Sequence, residues 1–361
     1  MESISPTSVS DEQQNSSSAP IYQGRVEFTG NGRDYFGIWI VNILLSVVTL
    51  GIYSAWAKVR TYRYFYGHTR INGHSFDYLA TPIQILKGRI LAFAFFVAYT
   101  IAVSFFPLLG MLFIFILLFL MPWLINQGLR FNLRMTRHRN VRFSFDGNYG
   151  DAFLNFIVLP FASVFTFYLL MPYVFKRIDS YMHSNISYGD KPLNVNLEGA
   201  TYYIATLMCS VASIIVVLAF IAIGAIGFNV ESLQEPAMQT VSGIFFVLVY
   251  VIMLTVVSAV YKCVIRNHIF DNSQFDDVAS FKSELKPIAY AVLLLTNILA
   301  IVFTAGFAYP WTKVRTAKML ANVTTVTIYP QAESLIDTQQ EKQSSFAEEA
   351  ANVFDIDLSL T

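Results

Sequence analysis

Seven stretches of this chain contain no Asp, Glu, Lys or Arg: Phe36–Trp56, Ile90–Pro107, Leu108–Ile125, Ala152–Phe175, Tyr203–Phe228, Val241–Tyr261 and Ile288–Trp311. Each is close to the roughly 20 apolar residues that a helix needs to cross about 30 Å of hydrocarbon. In lipid a backbone must hydrogen-bond to itself, so helices are expected there. The second and third stretches meet at Phe106-Pro107-Leu108, and a short acidic loop at 229–239 joins the fifth and sixth. Two tight helical hairpins follow, near 88–125 and 203–264. With 55% hydrophobic and only 13% charged residues, too much apolar surface would be left over from one soluble core. The formal net charge of zero gives nucleic acid nothing to bind.

Some stretches look like copies of others. Thr49-Leu50-Gly51 with Trp56, Lys58-Val59-Arg60-Thr61 recurs 255 residues later as Thr304-Ala305-Gly306 with Trp311, Lys313-Val314-Arg315-Thr316, and Asn42 matches Asn297. At an offset of 117, Phe28, Gly30, Asn31, Asp34 and Phe36 recur as Phe145, Gly147, Asn148, Asp151 and Phe153. Repeat-like units are therefore expected near 28–80, 145–190 and 283–328. Basic, Tyr-rich runs such as Lys58 to Tyr66 suit helices lying at headgroup level. Short alternating pieces follow them; Thr69–Phe76 carries an Asn72-Gly73 turn and Asn140–Phe145 alternates similarly, so small β-hairpin caps are expected. The expected fold is an all-α polytopic membrane protein. It would have about seven apolar helices with internal repeats, short interfacial helices and those caps, over residues 25–320. Residues 1–24 read as a polar disordered tail without the pattern of a cleavable signal, and 331–361 as an acidic one.

Two topologies are compatible with this. All seven stretches cross, with the N-terminus outside and the first and fourth stretches inverted relative to each other; this is the preferred reading. In the other, the three repeated stretches dip in and return, only the hairpins cross, and every Lys and Arg faces the cytoplasm. Both put the C-terminus in the cytoplasm.

The run Asp34-Tyr35-Phe36, Trp39, Asn42, Leu50-Gly51-Ile52-Tyr53-Ser54-Ala55-Trp56-Ala57-Lys58-Val59-Arg60 and Arg63-Tyr64, then Asn72-Gly73 and Phe76, resembles the YjgN-like inner-membrane proteins of Gram-negative bacteria. Gly128-Leu129-Arg130, Val141-Arg142-Phe143-Ser144-Phe145 and Arg266-Asn267-His268 are similar as well. The resemblance covers about residues 25 to 320. It implies a multi-pass protein of the bacterial inner membrane with this architecture. The family carries a domain-of-unknown-function label, so no activity and no catalytic residue comes with it.

The residues themselves carry no catalytic motif, and no enzyme activity or cofactor is expected. His68, His74, His138, His183 and His268 lie between the apolar stretches without metal-ligand spacing, so no metal is expected. Cys209 and Cys263 read as apolar core. Asp34 and Asp151 precede apolar helices and read as N-terminal caps. The expected ligand is anionic lipid, bound through Arg60, Arg63, Arg130, Arg134, Arg137 and Arg315. Arg130, Arg134 and Arg137 would share one helix face. Asn42, Asn155 and Asn297 are the polar residues inside the apolar stretches, placed for helix packing or for lining a pathway. The alternative function is a transporter or channel for a neutral or lipidic solute. The absence of an ionisable residue within the stretches weighs against a proton-coupled carrier. Membrane lipids are the expected partners; a homo-oligomer or a membrane-protein partner stays open.

Overall fold

The computed structural model describes residues 19–227 and 235–335. Most of the two expected tails and the first half of the 229–239 loop lie outside the described residues. The helices are α1 Gly32–Val48, α2 Ser54–His68, α3 Pro82–Phe105, α4 Pro107–Arg134, α5 Tyr149–Phe165, α6 Met171–Ser184, α7 Gly199–Gly227, α8 Pro236–Asp271, α9 Pro287–Phe303 and α10 Tyr309–Asn322. α5 contains a π turn at Leu154–Val158. The strands are β1 Tyr22–Arg25, β2 Glu27–Phe28, β3 Thr69–Ile71, β4 His74–Tyr78, β5 Thr136–His138, β6 Val141–Phe145, β7 Ile186–Tyr188, β8 Lys191–Val195, β9 Ser273–Phe275, β10 Ala279–Ser283 and β11 Thr324–Ile328.

The expectation of an all-α protein with about seven apolar helices is overturned. The strands form one antiparallel sheet of 11, in the order β1-β11-β10-β9-β8-β7-β6-β5-β4-β3-β2. Only Val26 separates β1 from β2, so the sheet nearly closes into a ring. The expected hairpins at Asn72-Gly73 and near Asn140 are two corners of this ring rather than separate caps. Asn72 and Gly73 have φ of 49° and 77°, the left-handed pair of a tight hairpin turn. Each strand has only two to five residues, too short to show a sheet by period.

The helix count changes as well. Among the described residues, four helices are long and apolar enough to cross a membrane: Pro82–Phe105, Leu108–Arg134, Gly199–Ile223 and Met238–Asp271. The three repeated stretches instead each break into a helix pair, α1/α2, α5/α6 and α9/α10. Both ends of every pair are anchored in the one ring, so each pair leaves and returns to the same face. This geometry does not fit seven crossings.

The breaks share one turn. Leu50-Gly51, Phe167-Tyr168 and Ala305-Gly306 all take positive φ, between 49° and 93°. The second residue of each donates its N–H back five residues: Gly51 to the Ser46 carbonyl (2.7 Å), Tyr168 to Ser163 (2.8 Å) and Gly306 to Ile301 (2.8 Å). A threonine handles the groups that the break orphans. The Thr49 hydroxyl donates to the Leu45 carbonyl (2.7 Å) and accepts from the Tyr53 N–H (2.9 Å). Thr304 repeats this with Ala300 and Ala308 at 2.7 and 2.8 Å, and Thr166 with Ser163 and Leu170 at 2.9 and 3.2 Å. An unbonded backbone group in hydrocarbon costs several kcal/mol, about the size of effect that makes such a turn worth fixing. The tips are bare and apolar, with Leu50 94% and Phe167 90% exposed.

The packed core lies at the helix bases, against the ring. Tyr35, Tyr64 and Val314 pack with Phe28, and Ala55, Val59 and Ile85 with Tyr78. Inside the ring, Val141, Tyr188, Phe275, Val326 and Ile328 meet Ala332 and Leu335 of a helical turn at 331–335. That turn, like β1, falls in a range read from sequence as tail.

Candidate functional site

Every helix pair returns to the ring with a basic end: Lys58, Arg60 and Arg63 on α2, Arg130 and Arg134 on α4, Lys176 and Arg177 on α6, Lys262 and Arg266 on α8, and Lys313, Arg315 and Lys318 on α10. Most of the arginines singled out from the sequence have partners within the fold. Arg130 donates to the Gly147 carbonyl at 2.7 Å, Arg63 to the Ala80 carbonyl at 3.3 Å, and Arg60 to the Tyr53 hydroxyl at 3.1 Å. Arg137 pairs with Asp77 at 2.8 Å across the β4–β5 register. It therefore lies on a strand: α4 ends at Arg134, and the single face of Arg130, Arg134 and Arg137 does not form. Arg134 is exposed on the last turn of α4.

The aspartates belong to caps. The Asn31 side-chain oxygen accepts from the Asp34 N–H at 2.8 Å, and the Asn31 amide donates to the Asp34 carboxylate at 2.6 Å. Asn148 and Asp151 repeat both bonds at the same distances. The asparagine is thus the cap residue, and the aspartate sits in the first turn. Tyr64 and Tyr181, also 117 apart, donate their hydroxyls to the Asn31 and Asn148 carbonyls at 2.7 and 2.9 Å.

The three intramembrane asparagines tie the two helices of a pair together, with one difference. In the second pair Arg177 donates to the Asn155 side-chain oxygen at 3.3 Å. In the third pair Arg315 donates to the Asn297 side-chain oxygen at 3.4 Å, and the Asn297 amide donates to the Thr316 hydroxyl at 3.1 Å. Arg60 stands at the matching offset from both arginines, yet it turns to Tyr53. Asn42 keeps one bond, from its amide to the Ala57 carbonyl (3.4 Å), and its Oδ1 is buried without a partner.

Where this link is open there is a groove of about 560 Å³ between α1 and α2. Asn42, Ser46, Ser54, Lys58 and Thr61 supply its polar wall, Ile43 and Val47 its apolar wall, and Trp39, Tyr62 and Tyr309 its aromatic rim. The Lys58 ammonium lies 5.6 Å from the Tyr62 ring centre. Arg89 donates to the Ser54 hydroxyl from α3. The groove thus sets cations and hydroxyls beside an apolar track on an outward-facing helix. Sequence reasoning named Asn42 and Arg60 but not Lys58 or the serines. The aligned offsets of Arg60, Arg177 and Arg315 were the available signal; that the first pair departs from the other two is visible only in three dimensions.

The profile of a family described as "Bacterial protein of unknown function (DUF898)" matches residues 23–353. The chain belongs to this family. Among curated relatives, the inner membrane protein YjgN of Escherichia coli O157:H7 is 26% identical over 339 residues, covering 80% of this chain and 84% of the relative. YjgN of Escherichia coli K12 is 24% identical over 340 residues with the same coverage. YjgN of Salmonella typhimurium LT2 is 32% identical over 148 residues, 40% of this chain and 37% of the relative. No solved structure matches. The DUF898 match starts in β1 and runs past the helical turn at 331–335, so it takes in the whole ring.

Proposed function

We propose that this DUF898 protein is an integral inner-membrane protein whose first helix pair holds the headgroup of an anionic phospholipid, with the β-ring on the cytoplasmic side. The observation that carries the reading is the open Asn42–Arg60 link with Lys58 in the groove beside it. A phosphate suits Lys58 and Arg60, a headgroup hydroxyl suits the acceptor on Asn42, and an acyl chain suits the track of Ile43 and Val47. The reading treats the three dipping pairs as copies of one unit, two closed by their own arginine and one left for lipid. The names of the curated relatives support the location. The charges support the side, because the basic ends of all five helix pairs adjoin the ring and no Lys or Arg occurs at a pair's tip.

Two measurements test it. Paired cytoplasmic and periplasmic reporters fused ahead of β1 and after residue 335 are expected to report cytoplasm at both points; a periplasmic signal ahead of β1 overturns the topology. For the lipid, the Lys58→Ala, Arg60→Ala double variant is expected to retain roughly thirtyfold less phosphatidylglycerol by native mass spectrometry, since each of the two cations near an anionic surface contributes about 1 kcal/mol. Arg134→Ala, which removes an exposed cation elsewhere, is the control. An equal loss from Arg134→Ala would leave only general surface charge and sink the groove.

A further inference from the structure

We propose that the lumen of the β-ring is a second, separate binding site, for a single-chain amphiphile with an anionic head: a medium-chain carboxylate. The lumen offers about 200 Å³ of partly open space and is walled by side chains from β3 to β7 and β9 to β11, among them Ile71, Phe76, Phe143, Tyr188, Phe275 and Phe281. Protein interiors pack to crystal density and leave few voids larger than a water. An apolar cavity of about 150 Å³ stays dry and takes up benzene, so this lumen has room for a hydrocarbon of roughly six to eight carbons. Two acyl chains do not fit in that volume.

The head is chosen by what interrupts the apolar wall. Arg139 lines the lumen half-buried, at the β5–β6 turn, with φ of 47°. Among the described residues its guanidinium has no hydrogen-bond or ion-pair partner, and its charge acts on both His138 and Tyr188. His138 beside it is 8% exposed, and its Nε2 has no partner. A partly desolvated guanidinium is costly unless an anion meets it, and a carboxylate meets its fork with two parallel bonds. An apolar guest alone would leave Arg139 unmatched; a free inorganic anion would leave the hydrocarbon wall unmatched. A rival occupant is the chain's own acidic segment 336–361, because Leu335 packs in the ring core.

The test uses the full chain in phosphatidylcholine nanodiscs and a diazirine-bearing octanoate, with cross-links mapped by mass spectrometry. Labelling is expected on lumen residues such as Phe143 and Phe275, with competition by octanoate. Arg139→Gln should raise the octanoate needed for competition tenfold or more. Ala279→Phe, which fills the lumen, should abolish the lumen label while the melting temperature stays within a few degrees; should it fail to fold, Arg139→Gln alone decides. Three results overturn the proposal: label confined to the lipid-facing helices, equal lumen labelling by an octanol analogue, or lumen labelling that emerges only after residues 336–361 are removed. The last would make the tail the occupant.

Discussion

Leu335→Ala is expected to destabilise the protein by roughly 2–5 kcal/mol, the range for truncating a buried leucine in a core that collapses only partly. The side chain is 7% exposed and packs in the ring core with Val141, Tyr188 and Ala332. Its seat is specific. A Cβ on Gly189 would come within 3.4 Å of a Leu335 methyl and 3.1 Å of Val141, and Gly189 itself has φ of 64°. The hairpin corner between β7 and β8 is therefore shaped around Leu335. The lumen beside it is already underfilled, so the methyls lost from Leu335 would add to existing empty space instead of being replaced by neighbours. Cys209 and Cys263 are both buried and free, so a thiol-reactive dye reports unfolding in mild detergent without added labels. The melting temperature should fall by roughly 3–8 °C, at one to two degrees per kcal/mol for a protein of this size. Leu50→Ala is the contrast: that side chain is 94% exposed at a tip and should move the melting temperature little in detergent. Equal small shifts from both variants would mean that the turn at 331–335 does not hold the ring.

What could be read from the sequence follows from which signals are local. Lipid solubility is a property of each stretch by itself, so the two hairpins, α3/α4 and α7/α8, were plain from 88–125 and 203–264. Asn72-Gly73 fixed one hairpin corner for the same reason. The ring was not legible, because closing it needs β1 to meet β11 some 300 residues away, and two-to-five-residue strands have no period to betray them. The breaks in the dipping pairs were half legible: Thr49-Leu50-Gly51 and Thr304-Ala305-Gly306 drew attention as breakers, yet hydropathy counts Leu, Gly and Ala as readily in a turn as in a span. At the sites the balance is similar. The asparagines and arginines stood out by type and spacing, but whether Arg60 reaches Asn42 or Tyr53 is a choice between two rotamers, made by tertiary surroundings. His138 looked like any interfacial histidine, since nothing local tells that Phe76 packs against it, tilted, at 4.6 Å and that the ring closes over it.

That burial has a consequence in acid. Burial is the main force holding the His138 imidazole well below its ordinary value near 6.5, at about 4; a hydrogen bond with the His74 backbone opposes it, the charges of Arg139 and His74 push further down, and the charge of Asp77 pulls up least. Above pH 6.5 the ring is neutral whether the protein is folded or not, and it contributes no difference. As the pH falls below 6.5 the unfolded chain takes up the proton and the folded one refuses it, so stability is lost down to about pH 4, where the folded form protonates too. At about 1.4 kcal/mol per pH unit the loss sums to about 3 kcal/mol. His138→Phe removes the titrating group and keeps a ring against Phe76. The wild type should therefore lose about 3 kcal/mol more than the variant between pH 6.5 and 4, seen as a melting-temperature gap that changes with pH. Parallel decline of the two proteins would show that His138 is not buried uncharged. The same comparison locates the opening: amide exchange should speed up first in β4 and β5, which carry His138 and its partner Phe76 in register, while the long hairpins, held by lipid or detergent on their outer faces, stay protected.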